Sequence, residues 1–204
     1  IEEKKTDAPS RMSIDRVFSL KGFGTIVTGT LIEGKISVDD EMTIYPSEKK
    51  VKVRNLQVHG CDVKTAYAGQ RTAINLSNIK VSEIQRGDVI AQTGSVEESM
   101  MIDVNISLVE HCKKSLKHWD RIRIFHGTKQ ILCRIVPLNE DEIQYGESGY
   151  AQLRLEEKIV AKKGDRFIIR SYSPMDTIGG GVIIDTAPKK HKIYDESVIE
   201  ALKI

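Results

Sequence analysis

Aromatic residues are scarce in this chain: one tryptophan, four phenylalanines and six tyrosines in 204 residues. Rings therefore cannot build its interior, and the core must be assembled from isoleucine, valine and leucine. Cysteine is sparse too. Cys61, Cys112 and Cys133 are odd in number and far apart, which excludes a disulfide framework and suits a reducing compartment. His59 stands two residues before Cys61 and His111 adjoins Cys112, but no C-x-x-C or H-x-x-x-H spacing completes a metal site. No apolar run is long enough to span a bilayer and no signal peptide opens the chain, so the expectation is a soluble, cytoplasmic protein with no membrane partner. Charge of one sign is missing as well. With 31 basic and 29 acidic residues the net charge is +2, so any nucleic-acid footprint has to be local. The chain starts at Ile1 with the polar stretch IEEKKTDAPS, which reads as a segment of a longer protein.

What is present is β-strand patterning. Thr25–Ile32 is β-branched nearly throughout, and Met42–Tyr45, Val51–Val58 and Thr72–Leu76 alternate apolar with polar. Val51, Val53 and Leu56 cannot share one face under strict period two, so a bulge is expected near Asn55. Turn signals stand between these runs at Glu33-Gly34, Asp39-Asp40, Ala68-Gly69 and Arg86-Gly87-Asp88. After the polar stretch Gln92–Ser99 a second series follows: Ile102–Val109, Arg121–Phe125, Gln130–Val136, Gly149–Leu155, Arg166–Arg170 and Gly181–Ile184. Glu110–Trp119 fits a short helix or a long loop. In Asp195–Ile204 an Asp or Ser cap precedes Val198, Ile199 and Leu202 at helical spacing. The fold class that results is all-β: two antiparallel β-barrels with a short C-terminal helical start. The boundaries expected are a linker over 1–10, a barrel over 11–91, a linker over 92–99, a second barrel over 100–188 and a tail over 189–204.

Catalytic machinery is not recognisable in the sequence. Gly22-Phe23-Gly24 and Gly179-Gly180-Gly181 lack the following helix whose N-terminus would hold a phosphate, and no G-x-x-x-x-G-K-[ST] motif occurs. Tight turns or close backbone approach explain both clusters. No Ser, His and Asp set stands in a nucleophile context. The chain is expected to work by binding.

Two segments carry more. Met12–Gly34 (MSIDRVFSLKGFGTIVTGTLIEG), with Ala68–Leu76 (AGQRTAINL), resembles the second domain of the elongation factor Tu superfamily of translational GTPases. Gly22, Gly24, Thr25, Val27, Thr28 and Gly29 match its strand–glycine loop–strand motif. The Ser173–Gly181 run, SPMDTIGGG, narrows the resemblance to the bacterial selenocysteine-specific elongation factors of SelB type, and the likeness covers about Arg11 to Lys192. It implies domains two and three of such a factor, without the N-terminal GTPase domain and its GTP and Mg, and without the C-terminal winged-helix domains.

Several roles follow from that resemblance. The partners would be selenocysteyl-tRNA, delivered to the ribosome at recoded UGA codons, and, through the winged-helix domains, an mRNA hairpin; the protein would act as a monomer. A selenol is largely anionic at neutral pH, whereas the serine hydroxyl of the precursor is neutral. A cationic pocket can separate the two, and arginine, always charged and rigidly forked, suits it. The resemblance puts Asp15, Arg16 and Arg71 at the selenocysteine pocket, with Gly22, Gly24 and Thr25 at the tRNA 3′ end. His126, Lys129 and Arg170 would meet the tRNA stem, while the basic run Lys189–Lys192 reads as a solvated linker. In a regular strand Asp15 and Arg16 point to opposite faces, so both can line one pocket only if the strand bends there. Two alternatives are a general translation factor carrying another aminoacyl-tRNA and a docking module with Arg16 and Arg71 apart.

Overall fold

The computed structural model describes residues 6–110 and 115–203. The chain divides into two compact units, one formed by Ile1–Val96 with Gly127–Lys129 and the other by Glu97–His126 with Gln130–Ile204.

In the first unit the β-branched and alternating runs become β1 (Arg11–Leu20), β2 (Gly24–Glu33), β3 (Lys35–Ser37), β4 (Glu41–Tyr45), β5 (Lys49–Val58), β6 (Cys61–Val63), β7 (Thr65–Tyr67), β8 (Arg71–Ser77) and β9 (Val89–Gln92). Strands β4, β9, β1, β2, β8 and β5 pair in that order, and β5 pairs back to β4, which closes a six-stranded antiparallel barrel. Closure leaves no ladder edge within these six strands, and β6 attaches to β5 outside the ring. The interior is aliphatic, as the shortage of rings requires: Met12, Ile14, Val27, Leu31, Ile44, Val53, Leu56, Ile74 and Ile90 are all buried in it. The bulge expected near Asn55 is present. The β5–β8 register shifts between Val53 and Asn55, and this lets Val51, Val53 and Leu56 all face inward.

The second unit holds β10 (Glu98–Leu108), β11 (Leu116–Lys117), β12 (Arg121–His126), β13 (Lys129–Pro137, all but its first residue), β14 (Glu142–Ile143), β15 (Ser148–Val160), β16 (Arg166–Ser171), β17 (Thr177–Asp185) and helix α1 (Glu196–Leu202). Its barrel closes in the order β10-β15-β13-β12-β16-β17, around Ile102, Val104, Ile124, Cys133, Ile135, Leu153 and Ile169. The glycine run has a steric reason. A Cβ on Gly179 would lie 2.3 Å from the Ser107 carbonyl oxygen, and one on Gly181 only 2.1 Å from that of Asn105. Only glycine lets β17 approach β10 so closely.

Three expectations change in detail. β9 runs to Gln92 and β10 begins at Glu98, so the connection is shorter than 92–99: the ladder to β15 starts at Glu98↔Val160 and claims its last residues. Within 110–119, Leu116–Lys117 is a strand paired with Glu142–Ile143 rather than part of a helix. Residues 111–114, with His111 and Cys112, lie outside the described residues. The tail is not merely solvated. His191 Nε2 lies 2.6 Å from a carboxylate oxygen of the buried Asp103, and Gln152 Nε2 donates to Asp103 and to the Lys189 carbonyl, both at 2.9 Å. Leu202 of α1 packs with Val136 and Leu138 of the same unit. No helix among the described residues is long and apolar enough to cross a membrane.

Candidate binding faces

The difficulty with Asp15 and Arg16 is resolved by a bulge. In the β1–β2 register Ile14 pairs with Gly29 and Arg16 with Thr28, so Asp15 is the extra residue. Inward positions on β1 run Met12, Ile14 and then Val17, a step of two followed by a step of three. Both Asp15 and Arg16 are thereby left off the core side, on the outer face of the barrel.

Arg71 reaches the same place from two strands away. It opens β8 opposite Thr30 of β2, and its Nη1 donates to Asp15 Oδ2 at 2.5 Å. The other oxygen, Asp15 Oδ1, accepts from the Thr28 hydroxyl at 2.6 Å. Burial pushes the Asp15 carboxyl up, but the Thr28 hydroxyl, the bonded Arg71 guanidinium and the charge of Arg16 together outweigh it and hold it below the usual carboxylate range. Both guanidinium groups therefore act on one carboxylate, Arg71 through a hydrogen bond and Arg16 through its charge. The Arg71 side chain is 54% exposed and that of Asp15 19%. The arrangement is a small, water-accessible cluster of two cations and one committed anion, and it retains one net positive charge.

Gly22 and Gly24 form the turn that joins β1 to β2. Both have φ of +86°, and nothing stands within 4 Å of where their side chains would be. The turn is thus left-handed backbone with open space above it, where another molecule's backbone can come close. Phe18, Leu20 and Phe23 are exposed around it. Thr25 differs from its neighbours: its side chain is buried and its hydroxyl donates to the Ile79 carbonyl at 2.7 Å, so it braces the turn from inside.

The three stem candidates do not share one face. Alternation along β12 turns His126 inward with Ile122 and Ile124, and its Nε2 meets Asp165 at 2.9 Å. Lys129 opens β13 across the turn from His126. Arg170 of β16 faces outward, its guanidinium carbon 5.2 Å from the Phe125 ring centre and its Nε donating to the Thr177 hydroxyl.

A larger feature, marked by no motif in the sequence, surrounds Arg170. This residue lies directly opposite Arg123 of β12, and Arg134 of β13 lies directly opposite Arg154 of β15. Four arginines thus stand on four consecutive strands, β15-β13-β12-β16. Aromatic rings lie among them: Tyr172 lies under Arg121 and Arg123 at 4.9 and 5.4 Å, and Trp119 under Arg154 at 5.3 Å. Like charges directly opposite across strands destabilise a sheet. The buried Nε atoms of Arg123 and Arg154 have no hydrogen-bond partner among the described residues. The clue was available in R-I-R-I over 121–124, where alternation alone sends both arginines outward.

Comparison with known proteins covers both units. The family model described as "Selenocysteine-specific elongation factor, beta-barrel domain" matches residues 103–190, and "Elongation factor Tu domain 2" matches residues 24–91. A selenocysteine-specific elongation factor from Desulfomicrobium baculatum is 39% identical over 97% of the chain, and one from Methanocaldococcus jannaschii is 30% identical over 92%. The chain spans only 32% and 47% of those two relatives. Among solved structures, a bacterial selenocysteine-specific elongation factor superposes with a TM-score of 0.84 at 25% identity, covering all of this chain and 32% of that one. The apo elongation factor SelB of Methanococcus maripaludis superposes with a TM-score of 0.81 at 26% identity, over 91% and 44% of the two chains.

Proposed function

Because the chain belongs to the selenocysteine-specific elongation factors of the elongation factor Tu superfamily, we propose that it binds the aminoacyl end and stem of selenocysteyl-tRNA for delivery to the ribosome. In this reading it supplies the two barrels of a cytoplasmic factor whose GTPase domain carries GTP and Mg, and whose further domains meet the mRNA hairpin. Arg16 and Arg71 receive the selenolate, and Asp15 orients Arg71. The open turn at Gly22 and Gly24 takes the terminal nucleotide. The outward arginine stripe, Arg123, Arg134, Arg154 and Arg170, faces the phosphates of the stem, contacts that position the RNA without reading its sequence.

The observation that carries this reading is the bulge at Asp15, which puts Asp15 and Arg16 on one face where Arg71 joins them. The outcome speaks against a docking module with the two arginines apart. A charge-selective pocket also explains why one tRNA could be taken with selenocysteine and refused with serine: the anion gains a charge-assisted bond, and the hydroxyl leaves a cation poorly paired.

Arg71→Ala tests it. Binding of selenocysteyl-tRNA should weaken about ten- to hundredfold, while seryl-tRNA binding changes little, since contacts to the RNA cancel in the comparison. Equal loss for both tRNAs would assign Arg71 to the RNA or to the fold and end the pocket reading.

A further inference from the structure

Asp15 is asked to do two incompatible things. It must hold Arg71 in place, and it must not consume the positive charge that a cargo anion needs. A free carboxylate facing a guanidinium tends to engage it through both oxygens in a two-pronged pair. Here the pair is single-pronged, Nη1 to Oδ2 at 2.5 Å, while Oδ1 accepts from the Thr28 hydroxyl at 2.6 Å.

We propose that Thr28 is a positioning residue for the cargo pocket: its hydroxyl commits one oxygen of Asp15, fixes the carboxylate plane and so presents Arg71 with donors to spare. The proposal rests on the reading of this face as the selenocysteine pocket. Three neighbouring strands supply the parts, Asp15 from β1, Thr28 from β2 and Arg71 from β8, and the bulge lets them meet. Thr28 pairs with Arg16 on one side and Ala73 on the other, at the centre of the face. A serine could supply the same hydroxyl; a valine keeps the β-branched shape that suits the strand but cannot donate.

The charged groups acting on Asp15 are Arg16 from its own strand and Arg71 from β8. Neither changes in Thr28→Val, so a change in the Asp15 titration reports the lost hydroxyl. The first measurement is carboxyl NMR titration of the 204-residue chain without tRNA. Asp15 should titrate higher in Thr28→Val than in the wild type, and Thr28→Ser should restore the wild-type curve. The second is the ratio of selenocysteyl- to seryl-tRNA affinity, which should fall about three- to tenfold in Thr28→Val and recover in Thr28→Ser.

An Asp15 titration that does not rise in Thr28→Val, or that rises as much in Thr28→Ser, overturns the relay. A raised titration with an unchanged affinity ratio overturns the positioning role. If the wild type itself shows no preference between the two tRNAs, the pocket reading fails, whatever the titration shows.

Discussion

Asp15 shows how a single carboxyl reports on its surroundings. Its burial favours the neutral acid, yet the Thr28 hydroxyl and the Arg71 and Arg16 guanidinium groups win, and the folded-state value is depressed. A depressed acid stabilises the fold at pH above its unfolded value, near 3.9, and that contribution disappears as pH falls through the folded value. Arg71 is more than half exposed, so solvent screens the pair and its worth is about 0.5–1 kcal/mol. Asp15→Asn should therefore lower stability by roughly that amount at pH 7 and by much less at pH 2. Urea unfolding at the two pH values measures the difference, and a penalty that persists in acid would mean that the side chain matters for packing and not for its charge.

At the level of strands, local pattern revealed much but not everything. The β5 bulge was legible because Val51, Val53 and Leu56 break period two visibly. The β1 bulge was not, because Asp15 and Arg16 are both polar and either could face outward; it took the inward step from Ile14 to Val17 to reveal it. Arg71 could be matched to a motif, but its contact with Asp15 joins residues 56 apart and belongs to the β1-β2-β8 order. The arginine stripe was missed for the same reason, since Arg123–Arg170 and Arg134–Arg154 are neighbours only through barrel register. The glycines of β17 make the clearest test at this scale. Gly181→Ala drives a Cβ to 2.1 Å from the Asn105 carbonyl oxygen and 2.8 Å from the Phe167 ring, and neither can retreat without moving the barrel wall. The cost should be about 1–3 kcal/mol, typical of overpacking. Calorimetry should show the transition of the second unit falling by several degrees, about what such a loss produces in a domain of this size. An unchanged melting temperature would show that β10 and β17 separate easily.

Across the whole molecule, each barrel keeps its own aliphatic core: Met12 through Ile90 in one, Ile102 through Ile183 in the other. The segment after the second barrel is built into that barrel's unit. Asp103 is 1% exposed at its side chain, and burial pushes its carboxyl up in spite of Gln152 and His191, which stabilise the charged form. A buried acid whose partners are removed is left as an uncompensated charge or must take up a proton, and breaking such a pair typically costs about 3–5 kcal/mol. Its partner His191 lies in the tail, and so does the Lys189 carbonyl that holds Gln152 beside it. Ending the chain at Pro188 takes away His191, Lys189 and the Leu202 contact with Val136 and Leu138 together. The shortened protein should lose stability in the second barrel and leave the amide protection of the first unchanged. His191→Ala in the intact chain separates the causes, because it removes the Asp103 partner and leaves helix α1 in place. If the polar anchor dominates, His191→Ala reproduces most of the loss and faster hydrogen exchange follows along β10 and β15. If the substitution is silent while the truncation is costly, the apolar contact of Leu202 carries the junction. A truncation without effect on either barrel would show that residues 189–203 contribute nothing to the stability of the second unit.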